Sequence, residues 1–142
     1  MTPYTYYVMM KHDNPKLLSD IVLKLREQGM GDYNLKESVY NGRFEKSEST
    51  PLMRASKYGC ITNMKMLFEQ LNVITDITNK NDETCLYTAV RFKQLEAVKY
   101  ICSKVIKPAS PLEVDYECAR NGLTPFGKAV IQNDFQIADA LL

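Results

Sequence analysis

One short pattern occurs three times along the chain, and this repetition limits the fold more than any other feature. Each copy begins with a threonine, at Thr50, Thr84 and Thr124, and an alanine follows five residues later in every copy. The spacings between the threonines are 34 and 40 residues. Because periods of this size are typical of stacked supersecondary units, the sequence predicts a repeat array.

Each copy has the signals of a helix, a turn and a second helix. Thr50 can cap a helix with its side-chain oxygen, Pro51 suits the first helical position, and Gly59 can end the helix. Apolar residues then recur at spacings of three and four, which indicates a second helix with one apolar face. In the first copy these residues are Ile61, Met64, Leu67, Phe68 and Leu71.

These residues resemble the ankyrin repeat, whose motif reads Thr-Pro-Leu-His, then Ala-Ala, Gly-His, Ile-Val and a Leu-Leu pair. The histidine of the motif is replaced by Met53, Tyr87 and Gly127, so its hydrogen bonds between units are not implied here. The resemblance implies an all-α solenoid of paired antiparallel helices with extended finger hairpins or loops. It also implies a non-catalytic scaffold or adaptor that binds another protein. Apolar residues match the second helices of later copies at Val98, Ile101, Ile137, Ala138, Leu141 and Leu142.

The whole chain, 1–142, is predicted to be a single ankyrin-repeat domain. Asn14-Pro15 opens a helix that closes at Gly29, and this helix resembles the second helix of a repeat. Residues 1–34 are therefore predicted to be a degenerate N-terminal repeat that acts as a cap. The alternative is an unrelated leader helix packed on the array, and residues up to His12 are expected to be irregular. The three complete repeats are predicted at 45–78, 79–112 and 119–142, and the chain is expected to be part of a longer array or to have a partner on its last helix.

An enlarged connection is predicted between the first helix signals and the first full copy. Asn41-Gly42 lies between Val39-Tyr40 and Arg43-Phe44, which is a strong hairpin signal. Insertions in repeat proteins map to one face, often the binding face. Tyr40 and Arg43 are therefore predicted to contact a partner, with a plain solvent loop as the alternative.

Two further connections are predicted as fingers. The segment 78–83 is short and polar, and Asp82 stands where the family has glycine, so a positive φ is expected there. The segment 105–118 contains Pro108 and Pro111, which interrupt helices, so it is predicted to be a second enlarged finger.

The sequence has no arrangement that predicts catalysis, a cofactor or a metal site. His12 is the only histidine, so no histidine-based triad or histidine cluster can be formed. Gly29-Met30-Gly31 lacks the third glycine of a dinucleotide fingerprint and follows a helix. Met53, Met64 and Met66 have helical spacing and are predicted to fill the core. We therefore expect no enzyme activity, no cofactor and no small-molecule substrate.

Charge and cysteine content restrict the location and the class of partner. The net charge is +1, and no apolar run is long enough to cross a bilayer, so neither nucleic acid nor a membrane is the expected partner. The four cysteines lack a C-x-x-C spacing, which is typical of reduced thiols in the cytoplasm or the nucleus. Cys85 and Cys102 are expected to be buried in helices. Cys118, in the long finger, is expected to react first.

One helix face of each copy carries side chains that are suited to a binding surface. Positions i, i+3 and i+4 share a face, and stacking would place them on the inner, concave side of the array. They would form a wall of four cations and two aromatic rings that favours an acidic segment of a partner protein. Alternatively, the cations only solvate the helices. The predicted wall comprises Arg54, Lys57, Tyr58, Thr88, Arg91, Phe92, Lys128, Ile131 and Gln132, and the predicted partner-binding residues are all of these except Thr88 and Ile131, together with Tyr40 and Arg43.

Two other functional classes remain open from the sequence. The chain could be a regulatory or targeting module of a longer enzyme polypeptide, such as a kinase. It could also bind nucleic acid through the basic wall, although the acidic residues Glu45, Glu48 and Glu83 on the fingers would weaken the attraction of phosphates.

Overall fold

The computed structural model describes residues 1–105, 117–118 and 120–142, and helices are the regular elements of this part of the chain. An isolated antiparallel bridge joins Phe44 and Ser49. The predicted all-α class is therefore confirmed. The helices are α1 (Pro3–Met9), α2 (Pro15–Glu27), α3 (Asp32–Asn34) with a π-helical continuation (Leu35–Tyr40), α4 (Pro51–Tyr58), α5 (Ile61–Lys65) with a π-helical continuation (Met66–Gln70), α6 (Cys85–Arg91), α7 (Leu95–Val105), α8 (Pro125–Ile131) and α9 (Phe135–Leu141).

The three repeated threonines start three equivalent helices. The side-chain oxygen of Thr50 accepts a hydrogen bond from the backbone N–H of Met53, at 3.3 Å. Thr84 and Thr124 make the same bond, at 3.2 and 3.1 Å, to the residue three positions later. Each bond satisfies one of the free N–H groups at a helix start, so the predicted caps are confirmed.

The helices stack in two rows. α4 packs on α6 and α6 packs on α8, and they form the inner row. Each inner helix packs on the helix that follows it, and α7 lies between α5 and α9 in the outer row. The alanine of each repeat, at Ala55, Ala89 and Ala129, is fully buried because a small side chain lets neighbouring inner helices approach closely. The predicted array of helix pairs is confirmed.

The core lies between the two rows and continues into the N-terminal helices. Met64, Leu67, Val98, Ile101 and Ile137 are fully buried on the outer helices, as their three- and four-residue spacing predicts. The methionines at positions 53, 64 and 66 also belong to this core, which confirms their predicted role.

One prediction for the N-terminal residues is wrong. They were expected to be irregular up to His12, but they form α1, which packs on α2 and α4. Tyr6 and Met10 have the i, i+4 spacing of an apolar helix face, and both are buried. The predicted α2 is confirmed: Asn14 accepts a hydrogen bond from the backbone N–H of Leu17 at the helix start.

The hairpin predicted at Asn41-Gly42 is wrong. Leu35 and Val39 are spaced by four residues and are fully buried, so this segment continues as a π-helix that ends at Tyr40. Burial of two apolar side chains outweighs the local turn signal. Gly42 is needed for close packing instead, since a Cβ there would lie 2.4 Å from the carbonyl oxygen of Ser38. The finger itself is the turn at residues 45–48, closed by the Phe44–Ser49 bridge.

The fingers of neighbouring repeats lie side by side. The backbone N–H of Lys80, in the second finger, donates to the carbonyl oxygen of Ser47, in the first, at 2.8 Å. Asp82 has a φ of 61°, as predicted for this position. The enlarged finger predicted at 105–118 lies outside the described residues except at its ends. None of the helices that the structure describes has the length and apolar character required to span a membrane.

Candidate partner-binding groove

A groove of about 330 Å³ lies between the inner helices and the first two fingers. We call it the inner groove. Its helical side is formed by Arg54 and Lys57 of α4 and Arg91 of α6, and its finger side includes Glu45 and Glu83. The groove therefore brings together side chains from two repeats and their fingers.

Cations and aromatic rings alternate in a row beside this groove, and every member of the row except Tyr58 lines it. Adjacent members are close enough for cation–π attraction, which is favourable within about 6 Å of a ring centre. The two rings from α4 and from the end of α6 remain accessible, at 43% and 37% exposure for Tyr58 and Phe92. In order, the row is Tyr7, Arg54, Tyr58, Lys57, Phe92 and Arg91, with cation-to-ring distances of 4.8, 5.2, 5.4, 4.9 and 5.1 Å.

Two of the predicted cations already have acidic partners. Arg54 pairs with Glu45 at 3.8 Å, donates to the carbonyl oxygen of Val8, and has a side chain only 12% exposed. Arg91 pairs at 3.4 Å with Glu83, whose side chain is 7% exposed. Two of the four cations of the predicted wall, Arg54 and Arg91, are therefore already paired, because the fingers place carboxylates opposite them.

Lys57 and Lys128 differ from these two arginines. Neither has a carboxylate within ion-pair distance among the residues that the structure describes. Lys128 lines a second pocket of about 250 Å³, between the second and third fingers, together with Arg91 and Arg120. Arg120 donates to the side-chain oxygen of Asn81, so the third finger is also held against the second.

Arg120 belongs to a repeated signal that the sequence interpretation missed. A basic residue stands four positions before each repeated threonine, at Lys46, Lys80 and Arg120. All three are exposed, in or beside the turns of the three fingers. Comparing the three copies at positions before the threonine, as well as after it, could have found this row.

Gln132 is placed differently from its prediction. Its side-chain N–H donates to the carbonyl oxygen of Val90 in the preceding repeat, at 2.9 Å. Gln94 makes an equivalent bond to the carbonyl oxygen of Lys57, at 3.0 Å. Both amides therefore connect successive repeats, and the role of Gln132 in partner binding stays a prediction. Ile131, in contrast, is 61% exposed.

Tyr40 and Arg43 do not line the inner groove. Tyr40 ends the π-helical segment and packs on Tyr6, with ring centres 5.9 Å apart. Arg43 pairs with Glu48 across the first finger, at 3.8 Å. The structure therefore separates these two residues from the other predicted partner-binding side chains, because the expected hairpin does not form.

Tyrosines link the groove to its surroundings. Burial raises the pKa of Tyr7, Glu45 raises it further, and Arg54 opposes both effects. Burial also raises the pKa of Tyr87, which stands at the motif's histidine position. Its hydroxyl accepts a hydrogen bond from the side chain of Asn121 at 3.0 Å, so Tyr87 still connects one repeat to the next finger.

The cysteines are free thiols with unequal burial. Cys85 is buried as predicted, and desolvation raises its pKa to about 12. Cys102 is only partly buried. The expectation for Cys118 is contradicted, because it is 1% exposed and its thiol donates to the carbonyl oxygen of Asn81 at 2.9 Å. Within the described ranges, no three histidine, cysteine, aspartate or glutamate side chains are grouped so that they could hold a metal ion.

Comparisons with known proteins agree with this geometry. A family model described as "Ankyrin repeats (3 copies)" matches residues 19–111, which is more than half of the chain. No curated protein sequence matches the chain.

Two similar solved structures share the fold at low sequence identity. One is a chain in the crystal structure of the yeast ribosomal protein Rps3 in complex with its chaperone Yar1, with a TM-score of 0.73 and 16% identity over 96% of this chain and 88% of that one. The other is in the complex of the Bd0816 predatory endopeptidase from Bdellovibrio bacteriovorus with the immunity protein Bd3460. Its TM-score is 0.64, with 22% identity over 96% of this chain and 61% of that one.

Proposed function

The chain belongs to the ankyrin-repeat family, and from this premise we propose that it is a non-catalytic protein-binding module whose inner groove holds an acidic segment of a partner protein. Stacked repeats create extended surfaces that suit a long, narrow contact. The proposal includes a scaffold or adaptor role and a location in the cytoplasm or the nucleus, which the free thiols support.

The observation that carries the proposal is the alternating row of cations and rings beside the groove. Tyr58 and Phe92 are accessible aromatic side chains on neighbouring repeats, and Lys57 lies over both rings. Aromatic residues of this kind commonly supply most of the binding free energy of an interface. A segment that covers both rings would also remove water from around the Lys57 ammonium and strengthen its attraction for a carboxylate.

The distribution of charge supports an acidic partner. Lys57 and Lys128 lack acidic partners among the described residues. The finger cations Lys46, Lys80 and Arg120 are exposed, and Arg120 shares a pocket with Lys128. Cations on one side of a contact favour carboxylates on the other and speed association. Because Glu45 and Glu83 already pair with arginines, the attraction is local and modest, which disfavours nucleic acid as the ligand.

The two similar structures give further support to a protein partner. Each is a complex of two proteins, a chaperone with its ribosomal protein and an immunity protein with its endopeptidase. A regulatory or targeting role within a longer enzyme polypeptide would use the same groove. It would differ in whether the bound segment belongs to the same polypeptide.

Selection from a random peptide library displayed on phage tests the proposal. Peptides retained by the protein should be rich in aspartate and glutamate, with one or two apolar residues. Replacing Tyr58 or Phe92 by alanine should weaken their binding by about 1 to 2 kcal/mol, or roughly 5- to 30-fold. Phe135→Ala is the control, because Phe135 is 69% exposed on α9 and is not a member of the row of cations and rings.

Charge reversal at Lys57 tests the electrostatic part. Lys57→Glu should slow association with a selected acidic peptide, and the effect should decrease as salt is added. Lys99→Glu makes the same charge change on α7, where Lys99 pairs with Glu96, and should have little effect. Selected peptides that are basic, or that bind equally well to the Tyr58, Phe92 and Lys57 variants, would show that the groove is not the acidic-segment site.

A further inference from the structure

The pocket between the second and third fingers differs in chemistry from the inner groove, and we call it the finger pocket. Its volume is about 250 Å³, and the described residues that line it are charged or carry an amide, a hydroxyl or a thiol. Neither an aliphatic side chain nor a phenylalanine is among them, whereas the inner groove includes Met53 and Phe92. The finger pocket therefore suits a small polar group.

The finger pocket and the inner groove are continuous. Asn81, Glu83 and Arg91 line both of them. A segment that lies along the groove can therefore extend one side chain into the finger pocket.

The finger pocket has an excess of positive charge. Arg91, Arg120 and Lys128 line it, and all three are accessible, since the arginines are exposed and Lys128 is only half-buried. The one carboxylate among the described lining residues is that of Glu83, which leaves two positive charges in excess. Glu83 already accepts from Arg91 and from the side chain of Asn79, at 3.4 and 2.9 Å. Neither Arg120 nor Lys128 forms an ion pair with a described carboxylate.

The third finger is held in place by the protein itself. Arg120 donates to the side-chain oxygen of Asn81, and the Cys118 thiol donates to the backbone carbonyl of the same residue. Asn121 links this finger to the hydroxyl of Tyr87 on α6, at 3.0 Å. Arg120 uses one of its nitrogens in this contact, so its guanidinium keeps further N–H donors. A site that is ordered in advance loses less conformational entropy when it binds a ligand.

A phosphate monoester matches this charge better than a carboxylate does. It carries a charge of about −1.5 to −2 at neutral pH and has three strong acceptor oxygens, and a guanidinium can bind two of them at once. We propose that the finger pocket binds the phosphate of a phosphorylated side chain in the partner segment. This inference rests on the proposed function, because the rest of the segment lies in the inner groove. Phosphorylation of the partner then strengthens the complex.

Two small probes test the finger pocket without any contribution from the inner groove. N-acetyl-phosphoserine methylamide carries a phosphate monoester, and N-acetyl-glutamate methylamide carries a carboxylate. Titrated into isotope-labelled protein, the phosphoserine probe should cause saturable shifts in the amide NMR signals of residues 79–83 and 120–124. The glutamate probe should bind several-fold more weakly, because its single charge matches the pocket less well.

Removal of single cations locates the site. Lys128→Gln should weaken binding of the phosphoserine probe about tenfold, the effect of one hydrogen bond between charged groups. Its fold should be unchanged, because Lys128 pairs with no described carboxylate. Arg120→Gln should weaken binding at least as much, although it also removes the contact with Asn81. Lys57→Gln is the matched control, since Lys57 is also unpaired among the described residues but lines only the inner groove.

A longer probe connects the pocket to the groove. An acidic peptide selected by the protein and extended at either end by phosphoserine should bind more tightly than the same peptide with serine. Lys128→Gln should remove this gain. If no acidic peptide is selected, the proposed function fails, and the two small probes still decide whether the pocket binds a phosphate monoester.

Four results would overturn the inference. The first is the absence of saturable shifts with the phosphoserine probe, and the second is equal affinity for the two small probes. The third is an equal loss of affinity in Lys128→Gln and Lys57→Gln, which would indicate only a general attraction between charges. The fourth is binding of inorganic phosphate as tight as that of the phosphoserine probe, with no gain from phosphoserine in the peptide, which would identify a site for the free anion.

Discussion

The N-terminal and C-terminal regions of the described chain are covered to very different degrees. At the N-terminal end, α1 and α2 cover the first complete repeat. At the C-terminal end, apolar residues of α8 and α9 remain exposed, including Phe126 at 37%, Val130 at 43% and Phe135 at 69%. The counterparts of Phe126 and Val130 one repeat earlier, Leu86 and Val90, are fully buried. The comparison shows that the neighbouring repeat, more than the residue type, determines burial in this array.

The N-terminal contact is also polar. Asn63 is fully buried and donates to the carbonyl oxygens of Met10 and His12, at 3.1 and 2.7 Å. Its backbone N–H donates to the side chain of Asp13 at 2.9 Å, and the Cys60 thiol donates to the carbonyl oxygen of Lys11. The backbone carbonyls of the link between α1 and α2 therefore obtain hydrogen-bond donors from the first repeat. The corresponding position to Asn63 in the last repeat is the apolar Ile137.

The largest expected difference between the regions comes from one repeated position. Leu86→Ala should destabilise the protein by about 3 kcal/mol, because it leaves a cavity between packed helices. Phe126→Ala, at the same position one repeat later, should cost about 1 kcal/mol or less, although it removes a larger side chain. Urea unfolding of both variants and of the wild-type protein measures the difference.

Equal losses for the two variants would contradict the comparison. They would mean that Phe126 is covered in solution, and sedimentation at several protein concentrations would then show whether another copy covers it. A concentration-independent monomer with equal losses would show that the exposure of Phe126 has been misjudged.

The polar link at the N-terminal end gives the next largest effect. Asn63→Ala should cost about 2 kcal/mol, since two buried carbonyl groups lose their donors. The loss is limited because the Asn63 side-chain oxygen itself lacks a partner among the described residues. Asn63→Leu restores volume without the donors, so a similar cost would identify the hydrogen bonds as the cause. Full recovery of stability in Asn63→Leu would show that packing matters more.

The turns between inner and outer helices provide a smaller test. Gly59, Lys93 and Asn133 occupy the same position, with φ values of 67°, 59° and 58°. Gly59→Ala should cost about 1 to 2 kcal/mol, because alanine is strained at this φ and its Cβ would lie 2.5 Å from the side-chain oxygen of Gln94. Lys93→Gly should instead stabilise by about 0.5 kcal/mol, and Asn133→Gly by less, because asparagine tolerates this conformation.

Thermal and urea unfolding of these three variants would test the shared geometry. A loss of stability in Lys93→Gly, similar to that in Gly59→Ala, would contradict it. The positive φ would then carry no strain in the second repeat.

Local signals made most of the fold predictable from the sequence. A threonine cap, such as Thr50 or Thr84, depends on residues within one helical turn, and the apolar spacing of α5 depends on residues within three turns. The α1 helix carried the same kind of signal in Thr2, Pro3 and the spacing of Tyr6 and Met10, but it was overlooked. These features require no knowledge of distant neighbours.

The errors occurred where distant groups decide the outcome. The turn signal at Asn41-Gly42 lost to the burial of Leu35 and Val39, which depends on how α1 and α2 pack. Arg54 lies on the predicted face, but its pairing with Glu45 depends on how the finger folds back over α4. Tertiary geometry of this kind has no counterpart in the spacing of residues along the chain.

Thiol reactivity gives the last and smallest test. The rate at which Cys60 is modified reports how often the N-terminal link opens, and the measurement leaves the hydrogen bonds of the link unchanged. With iodoacetamide at about pH 8, Cys102 should react first because it is only partly buried. Cys85 should react last, since it is fully buried and its pKa is raised to about 12, which leaves almost no reactive thiolate. Cys60 and Cys118 should be intermediate, because each is buried and donates its thiol proton to a backbone carbonyl.

Asn63→Ala makes this test specific to one end of the array. Cys60 lies at the N-terminal link, so loosening that link should speed its modification several-fold, as local opening exposes it more often. Cys85 is held between the inner helices, so its modification rate should increase only as much as global unfolding increases. Mass spectrometry of peptides taken at successive times measures each thiol separately. If Cys60 and Cys85 accelerated by the same factor, the N-terminal helices would open only with the whole array, and the two ends would not differ in the way their contacts indicate.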